Sequence, residues 1–291
     1  MKSALIKLHI AVFLWGFTGV LGRLIQLNEG LLVWYRILIT LLTLIIIFYF
    51  KKSLNKLPKK LTKKLMLNGI LIALHWVFFY GSIKYANVSI ALICLSTISF
   101  FTALLEPIVT KTKFSVTSTL LSLLGVGGVA LIFHFDNKYR IGIYLGLISA
   151  FFSAIFSTFS KKNVLAANTE TTMFYQLLGG FIFITLLMPV YLHYFHSTSI
   201  IPTITDFSGL IILSWVCTVI AMGLSLQALR KVTAFTQNLT LNLEPVYGIG
   251  LAFIIYNEQK DLSNTFYWGM LLIVLSVVLQ MLRLKLEKKV H

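Results

Sequence analysis

Six runs of about twenty uncharged residues limit what this chain can fold into. The runs are Leu65–Ile83, Tyr85–Leu105, Phe114–Phe135, Ile141–Ser160, Phe207–Leu229 and Leu262–Leu282. A bilayer core of ~30 Å is crossed by roughly 20 helical residues, which matches most of these runs. A membrane β-barrel would instead show ~10-residue segments of alternating polarity. Since charged residues make up only 12% of the chain, against ~25% in soluble domains, the sequence predicts an all-α integral membrane protein.

The hydropathy pattern predicts ten transmembrane helices joined by short loops. They lie near residues 4–22, 30–50, 65–84, 87–110, 115–135, 140–160, 170–192, 207–229, 232–256 and 263–283. The basic residues and apolar stretch at the N-terminus resemble a secretory signal. Because no small-residue cleavage motif follows and another hydrophobic span comes at once, we expect an uncleaved first helix.

Lysine and arginine residues are distributed unequally between the two sides of these helices. Nineteen of the 25 fall on the side that carries both termini, with a cluster at residues 51–64. Cytoplasmic loops carry such an excess, so we expect a multi-pass protein of the inner (cytoplasmic) membrane with both termini cytoplasmic. The loop at 193–206 has no basic residue and is expected outside. The net charge of +16 follows from this topology, so no nucleic-acid partner is expected. We expect the basic cluster mainly to fix the topology. Binding of lipid or of a partner is the second interpretation of the cluster.

The chain resembles itself weakly. Residues 83–88 (Ile-Lys-Tyr-Ala-Asn-Val) align without gaps with residues 229–234 (Leu-Arg-Lys-Val-Thr-Ala), and each is a basic turn between two spans. Two halves of five helices, residues 1–137 and 138–291, must enter the membrane in opposite orientations because five is odd. Inverted repeats of this kind are a common transporter design, with the binding site near the midplane between the halves.

Several short motifs are spread along the whole chain. They are Leu14-Trp15-Gly16, Val33-Trp34-Tyr35-Arg36, Tyr85-Ala86, Phe101-Thr102-Ala103-Leu104-Leu105, Leu243-Glu244-Pro245-Val246 and Tyr256-Asn257-Glu258. With them the chain resembles the EamA-type branch of the drug/metabolite transporter superfamily. The first half departs from that family. Lys111-Thr112 stands where the family has Gly-Glu, and Ser99 stands where the family has a proline in the middle of the helix. The resemblance implies ten helices in two inverted five-helix repeats, and movement of amino acids or other small metabolites, often outward.

Glu244 is the sharpest functional signal in the sequence. It lies at the middle of the ninth predicted span, where a charged side chain costs ~2.5–3.5 kcal/mol on insertion scales. Pro245 follows it and is expected to kink the helix, because it lacks an N–H and frees the carbonyl of Leu241. Glu244 either binds substrate or a proton, or is paired structurally with a basic or amide side chain. As a substrate-binding carboxyl it can exchange a proton for a cationic substrate group, so it is also the candidate for proton coupling.

Amide side chains accompany Glu244. Asn238 and Asn242 form a stripe with Pro245 on one side of the ninth span, and such a polar stripe is expected to face the bundle interior. Gln227 and Gln237 add amides in the eighth and ninth spans.

Arg36 and three aromatic residues complete the predicted site. Arg36 either binds a substrate carboxylate or ties helices together. His75 either titrates near neutral pH or is a hydrogen-bonded core residue. Trp76 and Tyr80 share a helix face, which lines a cavity or faces lipid. The predicted substrate site comprises Glu244, Asn242, Asn238, Trp76, Tyr80, Gln227, Arg36 and His75.

These features predict a secondary transporter of small metabolites that works by alternating access through a central polar cavity. The alternatives are a lipid translocator or scramblase of the same fold and, less well supported, a membrane enzyme acting on lipid-linked substrates. We expect no enzymatic activity, because the sequence lacks a phosphate-binding Gly-rich loop and clustered acidic residues. No cofactor and no metal are expected. The expected partners are a small-molecule substrate and the lipid bilayer, with the protein as a monomer or homodimer.

Overall fold

The computed structural model describes residues 2–135, 137–195 and 199–290, and no strand occurs within these ranges. The α-helices are α1 (Lys2–Leu24), α2 (Glu29–Lys51), α3 (Lys59–Tyr85), α4 (Val88–Leu95), α5 (Ile98–Thr110), α6 (Val116–Phe135), α7 (Arg140–Asn163), α8 (Thr169–Tyr194), α9 (Ile204–Ser214), α10 (Ala221–Leu229), α11 (Ala234–Leu241), α12 (Glu244–Tyr256) and α13 (Asn264–Val290). A π-helical segment, Trp215–Ile220, joins α9 to α10, and short 3₁₀ turns span Asn137–Tyr139 and Glu258–Lys260.

Eight helical stretches of the described chain are long and apolar enough to cross a membrane. They are Lys2–Leu24, Glu29–Lys51, Lys59–Tyr85, Val88–Thr110, Arg140–Asn163, Thr169–Tyr194, Ile204–Leu229 and Ala234–Tyr256. The prediction of an all-helical, multi-pass membrane protein is thereby confirmed. The count of ten spans stays a prediction, because the apolar stretches Val116–Ile132 and Asn264–Ser276 are shorter.

Two of these stretches are broken at corresponding places. The first consists of α4 with 8 residues and α5 with 13, and the second of α11 with 8 and α12 with 13. At the first break, the Ser96 and Thr97 hydroxyls donate to backbone carbonyls at 2.6 and 2.8 Å, which competes with the helical pattern. At the second, the chain leaves the helix at Asn242, so Pro245 lies in the first turn of α12, where its missing N–H costs nothing. The kink expected at Pro245 is therefore a complete break just before it.

Hydrogen bonds between helix termini show which termini lie at the same end of the bundle. Lys7 Nζ, at the start of α1, donates to Gln227 Oε1 of α10 at 2.6 Å. Lys161 Nζ, at the end of α7, donates to the carbonyl of Leu229 at 2.9 Å. We call this the basic end. At the opposite end, the backbone N–H of Gln26 donates to the Asp206 carboxylate at 2.7 Å and joins α1 to α9.

A buried carboxylate holds α4 at the opposite end. Glu258, directly after α12, accepts hydrogen bonds from the N–H groups of Val88 and Ser89 at 3.0 and 2.9 Å, and from the Ser89 hydroxyl at 2.6 Å. It also forms an ion pair with Arg23 of α1. The first N–H groups of a helix have no partner inside the helix, and a carboxylate satisfies them and the positive end of the helix dipole. Glu258 of the second half therefore caps the broken helix of the first half.

A second carboxylate makes the reciprocal contact at the basic end. Glu106 of α5 accepts hydrogen bonds from the N–H groups of Ala234 and Phe235 at 2.8 and 2.7 Å, which lie in the first turn of α11. Glu106 is 7% exposed. The two broken helices are thus each held at their N-terminus by a carboxylate from the other half.

Glycines bring α3 and α8 into backbone contact. A Cβ atom at Gly69 would overlap the carbonyl of Gln176, and one at Gly179 would overlap the backbone of Met66. By contrast, a Cβ at Gly250 of α12 would meet no atom within 4 Å. Close approach of this kind is how membrane helices gain van der Waals contact without a hydrophobic driving force.

We expect Gly69→Ala to lower the thermal unfolding temperature of the purified protein, because the backbone of α8 must move to admit the new methyl group. Overpacking of this kind costs about 1–3 kcal/mol. Gly250→Ala is the matched control and should leave the unfolding temperature unchanged or slightly higher, since alanine favours the helix. Equal unfolding temperatures for the two variants would contradict the contact.

Candidate functional site

A cavity of about 70 Å³ lies inside the bundle and extends from its middle toward the basic end. Its walls come from α1, α2, α3, α4, α5, α7, α10, α11 and α12, and both helix breaks border it, through Leu95 and Ile98 and through Leu241 and Glu244. A water needs roughly 10–15 Å³ of such space, so this cavity admits only a few waters. Pockets that hold metabolites measure about 300–1,000 Å³. In this structure the cavity is therefore narrow, and it is too small to hold a metabolite.

Glu244 lines this cavity as the first residue of α12. Its side chain is 6% exposed, and it accepts no hydrogen bond from any residue that the structure describes. The helix N-terminus favours a negative charge at this place. A buried carboxyl that accepts no hydrogen bond is costly, which is typical of a group that binds a ligand or a proton.

Arg36 lies on another wall of the same cavity and is fully buried. Its Nε donates to Thr218 Oγ1 at 2.8 Å, Nη1 to the Tyr80 hydroxyl at 2.8 Å, and Nη2 to the carbonyl of Cys217 at 3.3 Å. The guanidinium carbon stands 3.9 Å from the ring centre of Trp76. A guanidinium has five N–H groups, so two remain for a ligand. Trp76 and Tyr80 share an inward face, and both serve to hold Arg36.

The π-helical segment between α9 and α10 supplies two of these partners. Thr218 donates its own hydroxyl proton to the carbonyl of Leu213 at 2.9 Å, which orients Oγ1 to accept from Arg36. The carbonyl of Cys217 also accepts from the indole N–H of Trp15 at 2.8 Å. π-Helical turns inside α-helices occur frequently at functional sites.

Two neighbouring amides of α11 line the cavity. Asn238 donates through Nδ2 to Thr102 Oγ1 at 2.6 Å and to Ser157 Oγ at 2.7 Å. Its Oδ1 is buried and has no partner in the part of the chain that the structure describes. Gln237 makes no side-chain hydrogen bond to another described residue, and its Oε1 is buried. Buried acceptors normally accept a hydrogen bond, so we expect these two oxygens to accept one from a ligand or from water.

His75 borders the cavity from α3. Its Nδ1 lies 2.8 Å from Ser149 Oγ and 3.1 Å from the carbonyl of Ser149, and its ring stacks on Phe79 at 6.2 Å. Ser149 also donates to the carbonyl of His75 at 2.9 Å. The ring is therefore tied to α7 through Nδ1, which leaves Nε2 without a partner among the described residues. Of the two roles that the sequence left open, the structure favours the hydrogen-bonded core residue, with one ring nitrogen left for a ligand.

The structure brings together five of the eight predicted site residues around the cavity: Glu244, Asn238, Trp76, Arg36 and His75. Tyr80 stands behind Arg36 and is completely buried. Gln227 lies toward the basic end, bound to Lys7. Asn242 borders a separate groove against α13. In the amide orientation that satisfies both groups, Asn242 accepts from Ser99 at 3.0 Å and donates to the carbonyls of Ser96 and Asn238 at 3.2 and 3.3 Å, so it joins the two helix breaks.

Small polar residues of α7 also border the cavity, and the sequence analysis did not select them. Ser153 and Ser157 line it, and Ser149 holds His75. These three serines are spaced four residues apart, so the stripe argument used for Asn238 and Asn242 would have found them. Trp15 was recognised only as part of a family motif.

Known proteins resemble this chain along nearly its whole length. The model of the EamA-like transporter family matches residues 2–134 and 140–282. A curated relative from Haemophilus influenzae, described as an uncharacterized transporter, is 24% identical over 277 residues, which cover 89% of this chain and 88% of the relative. A solved crystal structure with 15% sequence identity superposes with a TM-score of 0.70 over 95% of this chain and 96% of that one. At this identity the structural likeness shows the fold alone.

Proposed function

Because this chain belongs to the EamA-like transporter family, we propose that it is a secondary transporter that exports a small zwitterionic metabolite, such as an amino acid, through the central cavity. One observation carries the proposal. A buried carboxyl that accepts no hydrogen bond from a described residue, Glu244, and a buried guanidinium with two unused N–H groups, Arg36, line the same cavity.

The two charged groups suit the two ends of a zwitterion. An ammonium group would pair with Glu244 and donate to the neighbouring oxygens of Asn238 and Gln237, which have no hydrogen-bond partner among the described residues. A carboxylate would accept from the free N–H groups of Arg36, the residue type best suited to planar, charge-assisted recognition of carboxylates. The opposite charges of the two residues balance, so the cavity favours a substrate without net charge.

Two breaks at corresponding places support alternating access between inverted repeats. Transporters of this design bind substrate at discontinuous helices near the midplane, where one half rocks against the other. Here the breaks between α4 and α5 and between α11 and α12 both border the cavity. The cavity extends toward the basic end, while Glu258 and Arg23 join α1, α4 and α12 at the opposite end. In our proposal the basic end is cytoplasmic, so this narrow state is closest to one that loads from the cytoplasm.

The orientation is open to a direct test. We expect a reporter fused after His291 to be active in the cytoplasm and one inserted near Thr203 to be active outside. His291 and residues 196–198 of this loop lie outside the described residues. The asymmetry of basic residues is the physical reason for the expected orientation. Activity of both reporters on the same side would eliminate the ten-helix, inverted-repeat arrangement.

The transport function itself is tested with purified protein in proteoliposomes. We expect vesicles loaded with labelled amino acids, nucleosides or vitamins to release one amino-acid-like class faster than empty-membrane controls, and net-charged analogues to be rejected. Release of none of these classes, or equal release of charged and zwitterionic compounds, would contradict the proposal.

A pair of amide substitutions locates the site in the same assay. Gln237→Leu should raise the KM by about tenfold, because it removes a hydrogen bond to the buried substrate without breaking one in the protein. The matched control is Gln227→Leu, which alters an amide outside the cavity that is bound to Lys7. An equal change of KM in both variants would place the site elsewhere.

The lipid-translocator alternative requires a polar groove that opens sideways to the bilayer. Two grooves between helices of the described structure, of about 490 and 520 Å³, are lined mainly by apolar side chains. Such walls suit a resting acyl chain more than a moving headgroup, so the metabolite transporter is the better supported function.

A further inference from the structure

We propose that a groove between α3 and α8 at the basic end binds an anionic phospholipid, with the headgroup on Lys59 and Lys63 and an acyl chain along the apolar floor. The groove measures about 520 Å³ and lies apart from the transport cavity. This binding site is independent of the proposed substrate and of the direction of transport.

The walls of the groove are two stripes of side chains at helical spacing. On α3 they are Lys59, Thr62, Lys63, Met66, Leu67 and Ile70, and on α8 they are Gly179, Ile182, Phe183 and Leu186. Along α3 the stripe changes from basic to apolar within about two turns, or roughly 11 Å. This matches the change from headgroup to acyl chain in one leaflet. Gly179 lies where α3 and α8 touch, so the groove follows a seam that the glycine contact creates.

The basic end of the groove is free to bind an anion. Lys59 and Lys63 are exposed, and neither forms an ion pair with a residue in the described part of the chain. Pro58 precedes α3 without a side-chain cap, so the positive end of the helix dipole adds to the charge of the two lysines. A phosphodiester here would meet two ammonium groups and a helix N-terminus together.

The apolar part of the groove fits a hydrocarbon chain. Leu67 is 54% exposed, Ile182 40% and Leu186 74%, and all three lie below the lysines in the membrane-spanning part of their helices. A groove that faces the bilayer is occupied by lipid chains. Basic pockets between transmembrane helices bind anionic headgroups. Charge complementarity at the rim therefore decides which lipid stays bound.

Native mass spectrometry tests this proposal on the full-length protein released from nanodiscs of equal phosphatidylglycerol and phosphatidylcholine. We expect one phosphatidylglycerol to be retained in preference to phosphatidylcholine. The double variant Lys59→Gln, Lys63→Gln should retain it about 30-fold less, which corresponds to about 2 kcal/mol for two lysines near an anionic headgroup.

The matched control is the double variant Lys60→Gln, Lys64→Gln. It removes the same charge from the same turns of α3, but these lysines do not line the groove, so retention should match that of the unaltered protein. Either of two results would overturn the proposal. Equal loss in both double variants would show that surface charge alone explains the binding, and loss in neither would show that Lys59 and Lys63 do not hold the headgroup.

A third variant tests the acyl chain. Leu67 is exposed and lines the groove, so Leu67→Trp places a large ring where the acyl chain would lie. The variant should therefore retain less phosphatidylglycerol although both lysines are unchanged. Glycerol phosphate, which has the anionic headgroup without a tail, should not displace the bound lipid. Full retention by Leu67→Trp, or displacement by glycerol phosphate, would show that the groove does not hold the chain.

Discussion

Glu244→Gln is expected to remove the pH dependence of transport, or to stop transport, while the protein folds normally. Glutamine keeps the shape and the hydrogen-bonding capacity of the side chain but cannot titrate. Glu244 lines the cavity and accepts no hydrogen bond from a described residue, so the substitution breaks no hydrogen bond there. The measurement is proteoliposome flux over about three pH units centred near neutrality, roughly pH 5.5 to 8.5, where among unperturbed side chains only histidine titrates, with protein yield and unfolding temperature recorded in parallel.

The matched control for this experiment is Glu170→Gln. Glu170 lies in the first turn of α8 and does not line the cavity, so its substitution should leave the flux and its pH profile unchanged. If Glu244 is only a fixed structural charge, the variant keeps the pH profile and any loss of flux follows the yield. An unchanged profile in well-folded Glu244→Gln protein would end the proton-exchange model.

Glu258→Ala is expected to destabilise the protein more than Gly69→Ala or Arg23→Gln. The carboxylate is completely buried and accepts three hydrogen bonds, from the backbone N–H groups of Val88 and Ser89 and from the Ser89 hydroxyl. Its removal leaves buried donors without an acceptor, at about 1–3 kcal/mol each, so we expect a total loss of at least about 3 kcal/mol. The unfolding temperature in detergent and the yield of folded protein measure this loss.

Arg23→Gln separates the cap from the ion pair. Arg23 has a side chain 39% exposed, so its pairing with Glu258 is screened by solvent and should contribute at most about 1 kcal/mol. We expect Arg23→Gln to unfold close to the unaltered protein, and far above Glu258→Ala. If both variants lost the same stability, the ion pair and not the capping of α4 would be the main contribution of Glu258.

Much of the architecture follows from local sequence features. The membrane class and most helix positions depend on long uncharged runs, and each run is read without reference to any other part of the chain. Glu244 and Pro245 were visible for the same reason, because a charge and a proline are conspicuous in an apolar span. The break before α12 was expected as a kink. Only the structure showed that α4 and α11 are corresponding helices, each of 8 residues and each ending at a break.

The candidate site was accessible to sequence reasoning only in part. Arg36 and Trp76 were selected separately, but their contact joins helices that are distant in sequence and depends on the fold. The partners of Arg36 in the π-helical segment carried no sequence signal, since Thr218 is an ordinary residue of an apolar span. Asn242 was grouped with Asn238 by its spacing, yet the chain leaves the helix at Asn242 and its side chain joins the two breaks instead.

The sequence by itself determined that this chain crosses the membrane repeatedly as helices. It also determined that Glu244 places an ionisable side chain in the middle of an apolar span. Only the tertiary structure decided which groups satisfy the helix ends, since Glu106 and Glu258 each cap a helix of the other half. The physical reason is the difference in range. Hydrophobic transfer is a property of each segment alone, whereas a hydrogen bond or an ion pair depends on angstrom-scale positions that packing of the whole bundle sets.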